Sequence, residues 1–170
     1  MSYYIPSRTG EGYGLSIVTI DKLIEKEVDL IITVDTGITA YEETDYINEH
    51  GIDLIITDHH ECRDELPHAV AVVNPHRHDC SYPFPEIAGV GVVFKLICAY
   101  EMKLCMDCGK DVREGIKKIC TEYADLAAIG TIADVMPLKG ENRAIVIFGL
   151  NMISQTKRLG LSELMKASST

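Results

Sequence analysis

The 170-residue sequence contains no apolar run near the roughly 20 residues that span a bilayer, so no membrane partner is expected. Its opening residues, MSYYIPSRTG, have no basic stretch followed by an apolar one. A secretory signal is therefore not expected, and the chain reads as cytoplasmic. No low-complexity linker interrupts it, which argues for one domain over 1–170. Positive charge is scarce: 16 Lys and Arg stand against 26 Asp and Glu, a net charge of −10. Such a chain is a poor non-specific binder of polyanions unless metals or a local basic groove reverse the field. The six cysteines, at Cys62, Cys80, Cys98, Cys105, Cys108 and Cys120, lack the regular spacing of a disulfide framework. Only Cys105 and Cys108 have ligand-like spacing, and a closed zinc site needs two more ligands. Cys98 and Cys120 would have to supply them; otherwise all are reduced thiols.

What is present is an ordinary globular composition, 46% hydrophobic and 25% charged. Strand signals dominate the first half. Val28 to Val34 is a near-continuous β-branched and aliphatic run, the pattern of a strand buried on both faces, and 52–57 repeats it almost letter for letter. Between them, Thr39 to His50 has helical length and stops before Gly51. Strand, helix, strand over about 30 residues is a βαβ unit with parallel strands. A third short strand is expected at Ala69 to Val73, closed by Asn74-Pro75, and a helix at Ser16 to Lys26 with Ser16 as its cap. After Pro83-Phe84-Pro85 the periodicity turns helical, at Gly91 to Lys103, Arg113 to Ile132 and Asn142 to Gln155. The tail, Lys166 to Thr170, is expected to fray. The fold class is α/β: a parallel sheet with flanking helices and a mostly helical C-terminal half.

Setting the twin strands in register by an offset of 24 aligns Asp29 with Asp53 and drops Asp35 onto His59. Equivalent positions on adjacent parallel strands point the same way, so Asp35 and His59 should meet beyond the carboxyl ends of the strands, where open α/β sheets bind ligands. Carboxylate and imidazole converging there suit a divalent transition metal such as Mn²⁺. A strand-end Asp also commonly caps the next helix. The run Asp58-His59-His60 is difficult to read as caps alone. Arg8 suits a phosphate contact or a solvated surface. Gly89 and Gly91, at a helix start, suit an anion site or a packing turn. His76 and His78 read as loop residues.

Six stretches occur in one order: IPSRTGEGYGLS (5–16), LIITVDTGI (30–38), DLIITDHHE (53–61), AVVNPHR (71–77), IAGVGVVFKL (87–96) and DLAAIGTIADVMPL (125–138). Together they resemble the catalytic core of the DHH phosphoesterase family, and within it the RecJ-type single-strand-specific exonucleases. The resemblance implies two Mn²⁺ or Mg²⁺ ions at the strand ends. It makes Asp35 the bridging metal ligand, His59 and Asp134 further metal ligands, and His60 the contact to the scissile phosphate. Asp58 becomes an orienting hydrogen-bond partner of a histidine. Arg8, Gly89 and Gly91 become phosphate contacts. It further implies hydrolysis of single-stranded DNA from the 5′ end, with Asp35 and His60 catalytic, in DNA repair and recombination.

The sequence also departs from that family. Upstream of IPSR the family carries a strand ending in an Asp-x-Asp-Gly turn, which supplies further ligands; no such turn precedes Pro6 here. The family's DHH-associated and nucleic-acid-binding domains have no counterpart either. The expectation is therefore a partial DHH core, inactive by itself, from a longer nuclease. Two other readings stay open: a DHH phosphoesterase acting on short oligonucleotides or nucleotide phosphates, and a non-catalytic interaction module.

Overall fold

Ser16 opens the first regular element, its Oγ accepting the Thr19 N–H at 3.2 Å to cap helix α1, Ile17–Ile24. The computed structural model describes residues 1–7 and 13–168, in two compact units, Met1–Pro85 and Glu86–Thr170. Arg8 lies outside the described residues. The change of character expected after Pro85 is where the two units divide. The acidic excess falls in the first unit; the second is nearly neutral.

In the first unit α1 is followed by β1 (Leu30–Val34), α2 (Tyr41–Glu49), β2 (Asp53–Thr57) and β3 (Ala71–Val73). The strands form one parallel sheet in the order β1-β2-β3. The α2 stop is the one read from Gly51. That residue takes φ +70°, Gly51 N–H donates to Asn48 O, and Ile52 N–H donates to Ile47 O, a Schellman closure. Ile20, Ile31, Ile38, Ile47, Leu54, Ile56 and Val72 form the core.

Two expectations about the strands need correction. The ladder pairs Leu30 with Asp53 and Val34 with Thr57, an offset of 23 rather than the 24 that matches identical letters. Burial decides between them. Ile31 and Thr33 are the buried positions of β1, and Leu54 and Ile56 those of the facing side of β2; side chains alternate, so only the odd offset puts them together. Nor is β1 covered on both faces. Leu30, Ile32 and Val34 are 46%, 51% and 53% exposed, because α1 and α2 both contribute to the core on the face that carries Ile31 and Leu54.

The second unit is helical: α3 (Gly89–Asp107), α4 (Val112–Ala133), α5 (Gly140–Ile153) and α6 (Leu159–Ser168). Small residues set its packing. A Cβ at Gly115 would come 2.6 Å from Cys105 Sγ, and one at Gly149 would overlap the Ala124 carbonyl, so α3 and α5 both press closely on α4. Phe94, Ile119, Ala124 and Ala127 make the centre of this core. Of the tail expected to fray, residues 166–168 are instead the last turn of α6, and residues 169–170 lie outside the described residues. Just ahead of α6, Arg158 Nε donates to the buried Asp125 at 2.9 Å, and its other arm reaches the Glu122 carbonyl.

Candidate metal centre

Three strand ends supply the residues of interest. Thr33 and Thr57, both buried, bind β1 to β2 beyond the regular ladder: Thr57 Oγ1 donates to Thr33 O at 2.5 Å, and the Thr57 N–H reaches Thr33 Oγ1 at 3.3 Å. Thr33 Oγ1 in turn donates to Thr36 O at 2.7 Å, closing the chain into a turn directly after β1. Gly37 sits in that turn at φ +111°, where a Cβ would lie 3.0 Å from Thr33 Oγ1 and 3.3 Å from Ile56, so the position requires glycine.

Inside this turn Asp35 adopts φ +62°, a left-handed conformation that few non-glycine residues take. Its N–H still donates to Thr57 O at 2.9 Å. The left-handed step departs from strand alternation and leaves the carboxylate half exposed, with Oδ1 3.1 Å from His59 Nε2. The two residues meet as expected, though by this step rather than by facing each other across the ladder. The capping alternative for Asp35 does not hold, since Ala40 is the N-cap of α2 and no side chain caps it.

Asp58 is the centre of the network. Its carboxylate is 1% exposed and accepts the Ile38 N–H on Oδ2 at 3.0 Å. Oδ1 takes the His59 N–H at 2.8 Å, the His60 N–H at 3.2 Å and the His60 ring at Nδ1, 2.6 Å away. Burial pushes this carboxyl upward, but the Ile38 N–H, the His60 ring and the two following N–H groups outweigh it and hold it below the usual carboxylate range. Asp58 is thus an ionised anchor that fixes the plane of the His60 ring. The His59 side chain is mostly buried, whereas that of His60 is 61% exposed, and their rings lie 4.6 Å apart.

Asp35, His59 and His60 each bring one ligand atom within 4.8 Å of the others. One carboxylate oxygen and two imidazole nitrogens are a donor set for a first-row divalent ion, and Asp58 is the kind of outer partner that steadies such a set. Among the described residues this is the one group of three or more ligand-type side chains so arranged. The cysteines form no such group. Cys105 is buried beside Gly115, Cys108 is exposed at the end of α3, and all six are free thiols.

The second unit holds Asp134, Gly89 and Gly91. Asp134 follows α4 as its exposed C-cap, with its N–H on Gly130 O at 2.9 Å. Val135 then takes φ +55°, and the Met136 N–H closes onto Thr131 O at 3.2 Å. Gly89 and Gly91 lie in the first turn of α3, both buried; a Cβ at Gly91 would overlap Ile87, which is the packing alternative realised in geometry.

Sequence reading missed one residue here. Asn74, 3% exposed, donates from Nδ2 to His60 O at 2.9 Å and accepts the His76 N–H on Oδ1 at 2.8 Å. The signal available was an Asn before Pro at a strand end, where side-chain turns are common.

Comparison with known proteins identifies the family and its fold. The profile described as DHH family, N-terminal domain, matches residues 1–131. The single-stranded-DNA-specific exonuclease RecJ of Bacillus subtilis (strain 168) is 46% identical over 168 residues, covering 99% of this chain and 20% of that protein. The RecJ of Escherichia coli (strain K12) is 37% identical over 169 residues, covering 99% of the chain and 29% of that protein. The chain therefore spans between a fifth and a third of the length of these relatives. A crystal structure of exonuclease RecJ bound to manganese superimposes with a TM-score of 0.78 at 38% identity, over 96% of this chain and 39% of that one. The Thermus thermophilus RecJ in complex with Mn²⁺ gives 0.67 at 38% identity, over 87% and 21%.

Proposed function

The chain belongs to the DHH family, and from that premise we propose that it is the metal-holding part of a phosphodiesterase that degrades single-stranded DNA. The observation that carries the proposal is the convergence of Asp35, His59 and His60 at neighbouring strand ends. The relatives named as single-stranded-DNA-specific exonucleases, and the manganese-bound structures of similar fold, support it.

In this reading Asp35 and His59 would hold Mn²⁺ or Mg²⁺, and Asp35 and Asp134 keep the ligand roles that the resemblance gives them. Ions bound there would supply Lewis-acid polarisation of a phosphodiester and a water of lowered pKa. The rest is done by the protein. Asp35, held in its left-handed turn by the Thr33–Thr36 contact, presents its carboxylate outward. The mostly buried His59 presents Nε2 to it. Because Asp58 engages Nδ1 of His60, contact with a scissile phosphate falls to Nε2 of that exposed ring. The acidic excess of the first unit repels a polyanion, so substrate binding at these residues depends on the cations they gather.

Release of mononucleotides from a 5′ end, a role in repair and recombination, and a cytoplasmic setting complete the proposal; six free thiols suit a reducing compartment. Arg8 joins it as a phosphate contact. Gly89 keeps the phosphate-contact role that the resemblance gives it, as does Gly91, where a Cβ would overlap Ile87 and close packing also requires glycine. The test is to offer the full-length protein a long 5′-phosphorylated single strand and a dinucleotide with Mn²⁺, for wild type and Asp35→Ala. Faster hydrolysis of the long strand, abolished in the variant, supports the reading. Faster hydrolysis of the dinucleotide would move the assignment to the short-oligonucleotide phosphoesterases, and absence of any hydrolysis to an interaction module.

A further inference from the structure

Three acid–imidazole pairs lie around the ends of the three strands: Asp35 with His59, Asp58 with His60, and Glu61 with His76 at 3.3 Å. The third pair joins the residue after the Asp58-His59-His60 run to the loop leaving β3. Asn74 joins the same two segments, donating to His60 O and accepting the His76 N–H. The loop after β3 therefore grips this run at adjacent residues, once on the backbone of His60 and once on the side chain of Glu61. Asp58 fixes the His60 ring at Nδ1. Ring and carbonyl are thus pinned from opposite ends, by the carboxylate just after β2 and by the amide just after β3.

We propose that Asn74 is a positioning residue that sets where His60 presents its ring, with the His76–Glu61 pair steadying the same bracket. The inference rests on the reading of the site given above. The amide suits the task because its two arms do different things. Nδ2 can only donate, and a carbonyl is what His60 offers; Oδ1 can only accept, and an N–H is what His76 offers. With the Asn74 residue only 3% exposed, water does not readily replace either arm, and losing one weakens the tie that it makes. Asn74→Asp separates the arms. It keeps the acceptor for His76 and sets a carboxylate oxygen against the His60 carbonyl, which drives the His60 backbone away.

The experiment compares wild type, Asn74→Asp and the core control Ile47→Ala. Ile47 is buried in α2 and takes no part in the bracket. Ring carbon–proton NMR signals of the histidines are read without metal, and Mn²⁺ affinity is then read by paramagnetic resonance. In Asn74→Asp the His60 ring signals are expected to move while those of His50 stay, and Mn²⁺ affinity to fall about 10-fold, the lower range for loss of an outer-sphere partner. Ile47→Ala should lower the melting temperature without either effect. Unmoved His60 signals in a folded Asn74→Asp protein would overturn the proposal. So would equal shifts in the control. If Asn74→Asp does not fold, the wild-type Asn74 side-chain amide decides: slow hydrogen exchange supports the bracket, and exchange at the rate of a solvated amide overturns it. Wild-type Mn²⁺ binding that ignores His59→Ala would instead defeat the functional reading, while leaving the metal-free result on His60 standing.

Discussion

Asp58 and Ile38 are joined by a 3.0 Å hydrogen bond between the end of β2 and the turn that follows β1. A buried carboxylate thereby ties together the two segments that carry Asp35 and His60. This bond explains why the first acid of the Asp-His-His run is not itself exposed: it works on its neighbours.

Replacing Asp58 with Asn keeps the shape but cannot accept on both sides, leaving one of the Ile38 and His60 donors opposed by an NH₂ group. Hydrogen bonds to charged acceptors are worth more than neutral ones, and we expect a stability loss of about 2 kcal/mol. Chemical denaturation of Asp58→Asn measures it; an unchanged midpoint would show that the anchor is dispensable.

Much of this arrangement is legible in the letters. The near-identical runs at 30–33 and 54–57 announce two neighbouring strands, Ser16 announces the start of α1, and Gly51 the end of α2. The register is not legible that way, because matching letters favours an offset of 24 while burial of alternate side chains enforces 23. The open face of β1 escapes too: a run such as Leu-Ile-Ile-Thr-Val reads the same whether one face is covered or both. Asn74 is invisible because its value lies in a carbonyl 14 residues away in sequence.

Val135 is a β-branched residue at φ +55°, just after Asp134, in a place that helices commonly give to glycine. The left-handed conformation costs about 1–2 kcal/mol there, partly offset by the extra unfolded-state freedom of glycine. Val135→Gly should therefore raise stability by about 0.5–1 kcal/mol. A loss of stability in thermal or chemical unfolding would mean that Val135 makes a contact worth more than the strain.

Gly149 allows α5 to lie directly on Ala124 of α4. Backbone, unlike a side-chain tip, cannot step aside cheaply, so Gly149→Ala should cost about 1–3 kcal/mol by overpacking. Gly160, with nothing near its Cβ position, is the control, and Gly160→Ala should leave the core undisturbed. Equal melting temperatures for the two variants would contradict the close approach.

The thiols should separate by environment. Burial, then the neighbouring Cys120, pushes Cys98 upward; burial, then Glu101, does the same for Cys105. Cys80 and Cys108 are exposed. Because the thiolate is the reactive form, a disulfide reagent at neutral pH should label Cys80 and Cys108 first, and Cys98 and Cys105 last. Mass spectrometry of partly labelled protein gives the order, and early labelling of Cys105 would contradict the packing of α3 on α4.

The most direct test of the account is Mn²⁺ binding by the chain, followed by paramagnetic resonance in wild type, Asp35→Ala and His59→Ala, with circular dichroism to establish that each is folded. Binding in the wild type that disappears in both variants is the outcome the convergence of these side chains demands. Equal Mn²⁺ binding by all three folded proteins would contradict it.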